Sequence, residues 1–269
     1  MARSTYISEN LTQQQIDFML ELEDHELEIF SLVELKNQFS PKFNDINELV
    51  ENLVHKKILS RIEKSKYCKS TFRNEYVIGT FLVPNSAIAY WSALNLHGLT
   101  EQFPNNIFVQ TNKLKRNKSV FGTGYQFVKV ADYKLGGYQV HGHGNNQFRS
   151  TNIEKTITDC FDLPQYSGGY AELLRAFSEA RMKSGLLIEY SQLIKNISAT
   201  KRMGFLAELL ERKELGSFIT FAKSMINEKY TLFDPFGLEK GEFVNEWKLR
   251  LNINFLQMVF NKPSIMLLA

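Results

Sequence analysis

The chain has 269 residues, of which 43% are hydrophobic and 23% charged, with a net charge of +3. This composition is that of an ordinary folded protein with material for one large core or two small ones. The two cysteines, Cys68 and Cys160, are too few for a disulfide framework or a four-cysteine zinc site. No apolar run reaches the ~18 residues of a membrane span, and no secretory signal opens the chain, so we expect a cytoplasmic protein without a membrane partner.

The first eighty residues predict three helices and then a β-hairpin. Thr12 is a candidate N-cap of the first helix, and Ser31 forms a capping box with Glu34 at the second. Ser40 and Pro41 mark the start of the third helix. The runs ILSRIEK and NEYVIGTFLV predict the two strands, separated by SKYCKSTFR. Three short helices before a basic-tipped hairpin are the layout of a winged helix-turn-helix.

The remaining residues mix helices and strands. PNSAIAYWSALNLHGL predicts a helix that ends near Gly98, and NIFVQT, YQFVKV and GYQVHGH predict strands. Residues 152 to about 225 predict mostly helices, KYTLFDPFG and NEWKLRLNI predict two more strands, and SIMLLA predicts a small packing or interface segment. We therefore predict an α+β fold, in which a winged helix-turn-helix over residues 1–80 precedes a mixed α/β domain over residues 81–269.

An uneven charge distribution supports a boundary near residue 80. Residues 1–55 hold three basic and eleven acidic residues, whereas residues 56–80 hold seven basic and two acidic ones. Basic side chains neutralise DNA phosphates, and the helix before the hairpin would read base edges in the major groove. The predicted DNA-binding residues are Lys42, Asn44, Asn47, Lys56, Lys57, Arg61, Lys64, Lys66, Lys69 and Arg73.

Three acids on the third helix qualify this prediction. Asp45, Glu48 and Glu51 would repel phosphates if they faced the DNA backbone, so we expect only the N-terminal end of the helix to approach DNA closely. The alternative is that the winged helix is a protein-interaction module.

A second set of basic residues lies beyond residue 80. Four of them follow a predicted strand and two open a predicted helix, where positive charge is unfavourable to the helix dipole. These residues predict a functional basic surface, with a solvated loop as the alternative for the first four. They are Lys113, Lys115, Arg116, Lys118, Lys201 and Arg202.

The run Asp159-Cys160-Phe161-Asp162 contains two carboxylates that could act as an acid and base pair. An apolar stripe surrounds them, however, and Pro164 follows, so the pattern favours the end of a helix with Cys160 buried. No nucleophile or metal-ligand spacing accompanies the run.

Other candidate chemistry is equally sparse. The HGHG run at residues 141–144 lacks further metal ligands, and no phosphate-binding glycine loop is present. Cys68 has basic neighbours but no histidine partner, which predicts an exposed, unreactive thiol on the hairpin. We therefore predict no catalytic residue, no metal and no cofactor.

Five segments resemble the AbiE-type antitoxins of bacterial abortive-infection systems, in which a winged helix-turn-helix precedes an antitoxin domain. The resemblance covers about residues 12–252 and depends on the order and spacing of its motifs. These segments are WSALNLHGLTEQ, IEKTITDCFDLPQYSGGYAELLRAF, KRMGFLAELL, LFDPFG and NEWKLRLNI.

The resemblance implies a non-enzymatic type IV antitoxin for phage defence. Such a protein would repress its own operon by binding duplex operator DNA at inverted or direct repeats in its promoter. It would counteract a co-encoded nucleotidyltransferase-like toxin without a stable complex. Where the family commonly has Glu-Arg, this chain has Glu154-Lys155, which keeps the charge but loses the planar guanidinium. A ligand-sensing winged-helix regulator and an enzyme with a fused DNA-binding module are the alternatives.

Overall fold

The computed structural model describes residues 10–253, which form an α+β fold. The SIMLLA segment lies outside the described residues. The α-helices are α1 (Gln13–Asp24), α2 (Leu32–Phe39), α3 (Ile46–His55), α4 (Glu75–Leu82), α5 (Tyr90–Leu96), α6 (Ile153–Asp162), α7 (Tyr170–Glu179), α8 (Ser184–Ile194), α9 (Ile197–Leu209) and α10 (Gly216–Ser224). The strands are β1 (Ile29–Ser31), β2 (Leu59–Glu63), β3 (Lys66–Lys69), β4 (Ser86–Ile88), β5 (Asn106–Thr111), β6 (Lys118–Val120), β7 (Thr123–Lys129), β8 (Tyr138–His141), β9 (Phe148–Thr151), β10 (Thr231–Leu232), β11 (Glu242–Val244) and β12 (Leu249–Leu251).

Three helices and a three-stranded sheet in the order β1-β3-β2 open the described chain. The N-cap predicted at Thr12 and the capping box predicted at Ser31 with Glu34 are both formed, and Thr12 also forms a capping box with Gln15. The predicted start of the third helix at residues 40–41 is wrong, because α3 begins only at Ile46. Asp45 caps it by accepting a hydrogen bond from the Glu48 backbone N–H at 3.0 Å.

The hairpin is shorter than predicted. β3 lies within the segment expected to be the loop, and β2 connects to it through only two residues, Lys64 and Ser65. Successive residues of a strand face opposite sides, so the sheet can pack on both faces. Tyr67 packs against α1–α3, whereas Cys68 packs against α4 and the large sheet. Cys68 is therefore buried rather than exposed, and its burial raises the pKa of its thiol to about 11.

The run NEYVIGTFLV forms the helix α4 instead of a strand. Asn74 caps this helix by accepting from the backbone N–H groups of Tyr76 and Val77, both at 3.2 Å. Val77, Ile78 and Leu82 are buried in one cluster with residues of β5 and β7. Residue 80, the predicted domain boundary, falls inside this helix. The division into two domains stays a prediction.

The central sheet has six strands in the order β6-β7-β5-β4-β9-β8. The strands predicted from NIFVQT, YQFVKV and GYQVHGH are present as β5, β7 and β8. The helix predicted from PNSAIAYWSALNLHGL is only partly correct, because its first residues form β4 and α5 begins at Tyr90. α4 packs on one face of the sheet, and α5 and α6 pack on the other with the later helices.

Residues 153–224 are mostly helical, as predicted, and the closing strands form a sheet in the order β10-β12-β11. β11 was missed in the sequence. Trp247 anchors this sheet, because its indole is buried against α9 and its Nε1–H donates to Glu208 at 2.6 Å. No helix among residues 10–253 is long and apolar enough to cross a membrane.

Candidate nucleic-acid interface

The outer face of α3 is a polar stripe. Ile46, Leu49, Val50 and Leu53 bury the inner face of the helix. Four side chains on the opposite face are exposed along about two turns of the helix: Asn47, Glu48, Glu51 and His55. The predicted Asn44, just before the helix, is exposed too. The two asparagines predicted to read bases are therefore accessible.

Glu51 fixes the hairpin against this helix. The Tyr67 hydroxyl donates to the Glu51 carboxylate at 2.7 Å, and the Arg61 guanidinium forms an ion pair with the same group. Arg61 also lies over the Tyr67 ring, with 5.7 Å between its Cζ and the ring centroid. Burial, followed by the Glu51 contact, raises the pKa of Tyr67. Arg61 is thus neutralised within the chain.

Two exposed cations of the hairpin region, Lys57 and Lys64, have side chains without a partner in the described part of the chain. Lys64 is in the two-residue turn, next to Ser65, whose φ of 63° is in the left-handed region. Lys57 has a φ of 61° just after α3. Within residues 10–253 neither side chain is in an ion pair, so both charges are available to a partner.

Five other predicted cations have partners within the chain. Lys66 Nζ donates to the Leu82 carbonyl at 2.7 Å and to the Phe81 carbonyl at 3.0 Å, which caps the end of α4. Lys56 Nζ donates to the Gln15 side chain at 2.8 Å. Lys42 forms an ion pair with Glu21, and Lys69 forms one with Glu23. The Arg73 guanidinium donates a hydrogen bond to the Phe72 carbonyl. All of these contacts except the one from Arg73, which is with the preceding residue, join separate parts of the chain.

The second predicted basic cluster meets the hairpin at Glu63. The Glu63 carboxylate contacts Lys115 Nζ at 2.6 Å, Lys66 Nζ at 3.0 Å and Lys118 Nζ at 3.5 Å. Burial by itself raises the pKa of Glu63, but the hydrogen bonds from Lys115 and Lys66 outweigh it and hold the pKa below its usual value. Two of the four cations predicted in this cluster, Lys115 and Lys118, therefore hold the β5–β6 loop against the hairpin.

Lys113 and Arg116 flank Lys115 in that loop, and both are exposed. Lys64, which directly follows Glu63 in the hairpin turn, is exposed as well. The structure thus brings the predicted hairpin and loop charges together on one surface, although they are about fifty residues apart in the chain.

Lys201 and Arg202 do not belong to that surface, and their prediction as surface residues is wrong. Both lie near the start of α9, which is buried on most sides, and Lys201 is only 1% exposed. Lys201 Nζ donates to the Lys229 carbonyl at 2.7 Å, and Arg202 Nε donates to the Leu232 carbonyl at 3.0 Å. Their charges join α9 to the C-terminal strands.

The interpretation of residues 159–162 as a helix end is confirmed, since α6 ends at Asp162 and Cys160 is buried. Burial raises the pKa of the Cys160 thiol, so it is a poor nucleophile. Asp162 accepts from Lys134 Nζ at 2.6 Å and from the Asn196 amide at 2.9 Å.

The sequence did not reveal a buried polar cluster beneath the same helix. Lys155 forms an ion pair with Asp159 one turn later, and both side chains are buried. The Gln110 amide donates to the Asp159 carboxylate at 2.9 Å and to the Tyr90 hydroxyl at 3.0 Å. Burial raises the pKa of Asp159 despite the opposing effect of Lys155. The four-residue spacing of Lys155 and Asp159 was the visible signal, but it did not indicate burial.

A cleft separates α2 from α4 and the β8–β9 hairpin. Its volume is about 660 Å³, and its apolar wall includes Ile29, Phe81 and Phe148. Arg149 is exposed at the polar side of the cleft. Within residues 10–253 no cluster of three histidine, cysteine or carboxylate side chains is placed to hold a metal ion.

No protein-family model matches the sequence, and no curated protein matches it. The crystal structure of RV2827C protein from Mycobacterium tuberculosis has a similar fold, with a TM-score of 0.61 over 91% of this chain and 94% of that one. The two sequences are 13% identical, so the likeness shows the fold alone.

Proposed function

We propose that this chain is a DNA-binding antitoxin with a winged helix-turn-helix at its N-terminus. It binds duplex operator DNA at repeats in its own promoter and represses its operon in the cytoplasm. The observation that supports DNA binding best is the exposed polar face of α3 beside a hairpin with Lys64 at its turn. The element order α1-β1-α2-α3-β2-β3 is also that of a winged helix.

In this proposal α3 enters the major groove and the exposed cations around it contact phosphates. The ten residues predicted from sequence do not contribute equally, because several have their charges neutralised inside the chain. The remaining contacts to the DNA backbone come from four exposed cations of the hairpin region and the β5–β6 loop, whose side chains have no partner within residues 10–253. They are Lys57, Lys64, Lys113 and Arg116.

The antitoxin half of the proposal is supported by the resemblance to AbiE-type proteins. The domain after α4 would counteract a co-encoded nucleotidyltransferase-like toxin, without enzymatic activity and without a stable complex. Asp159 and Asp162 have structural partners, so their role in this proposal is to stabilise the domain.

Neutralising the four exposed cations should weaken the salt dependence of DNA binding. Each lost phosphate contact removes about 0.9 from the slope of log affinity against log salt concentration, so K57Q/K64Q/K113Q/R116Q should flatten the slope by about 3–4. Fluorescence anisotropy with an operator duplex at several salt concentrations measures this.

A matched control removes four exposed lysines from the late helices and the C-terminal sheet, as K183Q/K195Q/K213Q/K240Q. Both variants change the net charge equally. The control should keep the wild-type slope. Equal slopes for the two variants would place the interface elsewhere.

Co-expression with the adjacent toxin gene tests the antitoxin role. The full chain should restore growth, and the two proteins should not co-elute in size-exclusion chromatography, because the proposed mechanism needs no stable complex. Absence of growth rescue at a confirmed protein level contradicts the antitoxin role, and co-elution contradicts the type IV mechanism.

The cleft favours a second candidate, a ligand-sensing regulator. Its volume of about 660 Å³ is in the range of small-molecule sites, and it lies between α2 and the central sheet. Its apolar wall and exposed Arg149 suit an apolar carboxylate. Such a regulator would change its operator affinity when it binds that ligand, whereas the antitoxin would relieve toxicity without one.

A further inference from the structure

Two exposed carboxylates of α3, Glu48 in its first turn and Glu51 one turn later, differ in what they contact. Glu48 and Glu51 are three residues apart and lie on the same outer face. Glu51 is held by Tyr67 and Arg61, so its charge is neutralised and directed at the hairpin. The Glu48 carboxylate has neither a hydrogen bond nor an ion pair within residues 10–253.

An unpaired carboxylate on a DNA-facing helix is unfavourable near phosphates. The same group is favourable in the major groove beside a cytosine, whose N4 amino group donates to a carboxylate. Asn47 is the adjacent residue, and it is exposed too. An asparagine amide forms a bidentate pair with the N6 and N7 atoms of adenine.

We propose that Asn47 and Glu48 determine which sequence the chain prefers, an inference that rests on the DNA binding proposed above. Asn47 reads an adenine, and Glu48 accepts a hydrogen bond from a cytosine. At other sequences the Glu48 charge remains unpaired and lowers affinity, so this residue supplies attraction to one base and repulsion towards others.

The test is selection of preferred sites from randomised duplexes by the full-length chain and its E48Q, E51Q and N47A variants. Glutamine prefers adenine to cytosine, so E48Q should lose the cytosine preference at one position. We expect discrimination there to fall about 5- to 150-fold, the range that one good base contact supplies. N47A should lose the adenine preference at a neighbouring position.

E51Q is the control, because it removes from the same face a carboxylate that contacts Tyr67 and Arg61 and is therefore not directed at a base. It should raise affinity for all duplexes by a similar factor but keep the wild-type order of preferred sites. Thermal unfolding of each variant shows whether it is folded at the assay temperature.

The outcomes separate this inference from the proposed function. If E48Q keeps the wild-type site preference, Glu48 is only a surface charge and the inference fails, while DNA binding stands. A wild-type chain that binds duplexes without sequence preference overturns the inference together with the proposed operator recognition, while binding to the DNA backbone stands. A wild-type chain that binds no duplex overturns the proposed function and the inference together.

Discussion

Replacing Lys155 by methionine is expected to lower the free energy of unfolding by about 3–5 kcal/mol at neutral pH. The substitution leaves the buried carboxylate of Asp159 without its ion-pair partner, and among residues 10–253 only the Gln110 amide still donates a hydrogen bond to it. Removing one member of a buried pair is more harmful than removing both, because an uncompensated charge remains in the interior. Urea unfolding of the full chain measures the loss.

The double variant K155M/D159N is the control for that prediction. Asparagine is neutral and can still accept from Gln110, so the double variant should recover most of the lost stability. An equal loss in the single and double variants would mean that Lys155 contributes packing rather than charge compensation.

The loss should also depend on pH. Burial raises the pKa of Asp159 in the folded protein, so the folded state binds a proton more readily than the unfolded state. Stability from this group is present at low pH and falls as pH rises through the folded pKa. Without Lys155 the pKa of Asp159 in the folded protein rises further. The K155M variant should therefore lose less free energy of unfolding at pH 5 than at pH 7.5. A loss that does not change between these values contradicts the account.

A fragment that begins at residue 81 is expected to lose cooperative folding, whereas one that begins at residue 73 should keep it. The fragment that begins at residue 81 lacks residues 75–80 of α4 and, with them, the Val77 and Ile78 side chains that cover one face of the central sheet. Burial of two such side chains stabilises by about 3–6 kcal/mol, which is a large part of the stability of a typical domain.

Circular dichroism during urea unfolding of both fragments tests this prediction. The longer fragment also keeps the hydrogen bond from the Tyr125 hydroxyl to the Glu75 carbonyl at 3.1 Å. It should be the one that relieves toxicity in co-expression, and a fragment of residues 1–80 should not. Equal unfolding midpoints for the fragments that begin at residues 73 and 81 would show that the residues after α4 fold without this helix.

The sequence alone determined those features that depend on neighbours along the chain. Thr12 and Ser31 could be recognised as helix caps because a cap needs only side chains within three residues. Pro164 indicated the end of α6 for the same reason, since proline lacks the N–H that a continuing helix requires. The strands β5, β7 and β8 also followed from local composition and turns.

The segment that forms α4 could not be assigned correctly from its local sequence. Its apolar run of β-branched and aromatic residues is typical of a strand, and a short apolar run does not distinguish the two structures. Burial against Val109 and Tyr125 decided for a helix. Those partners come from strands thirty to fifty residues further along the chain.

Only the tertiary structure decided which charges are available to a partner. In the sequence Lys64, Lys66, Lys115 and Lys201 are equivalent cations. In the fold Lys64 is exposed, Lys66 and Lys115 share Glu63, and Lys201 is buried among carbonyl groups. The charge of a side chain is a local property, but its compensation depends on groups that folding brings within about 4 Å. For Lys115 that group is Glu63, which lies 52 residues away along the chain.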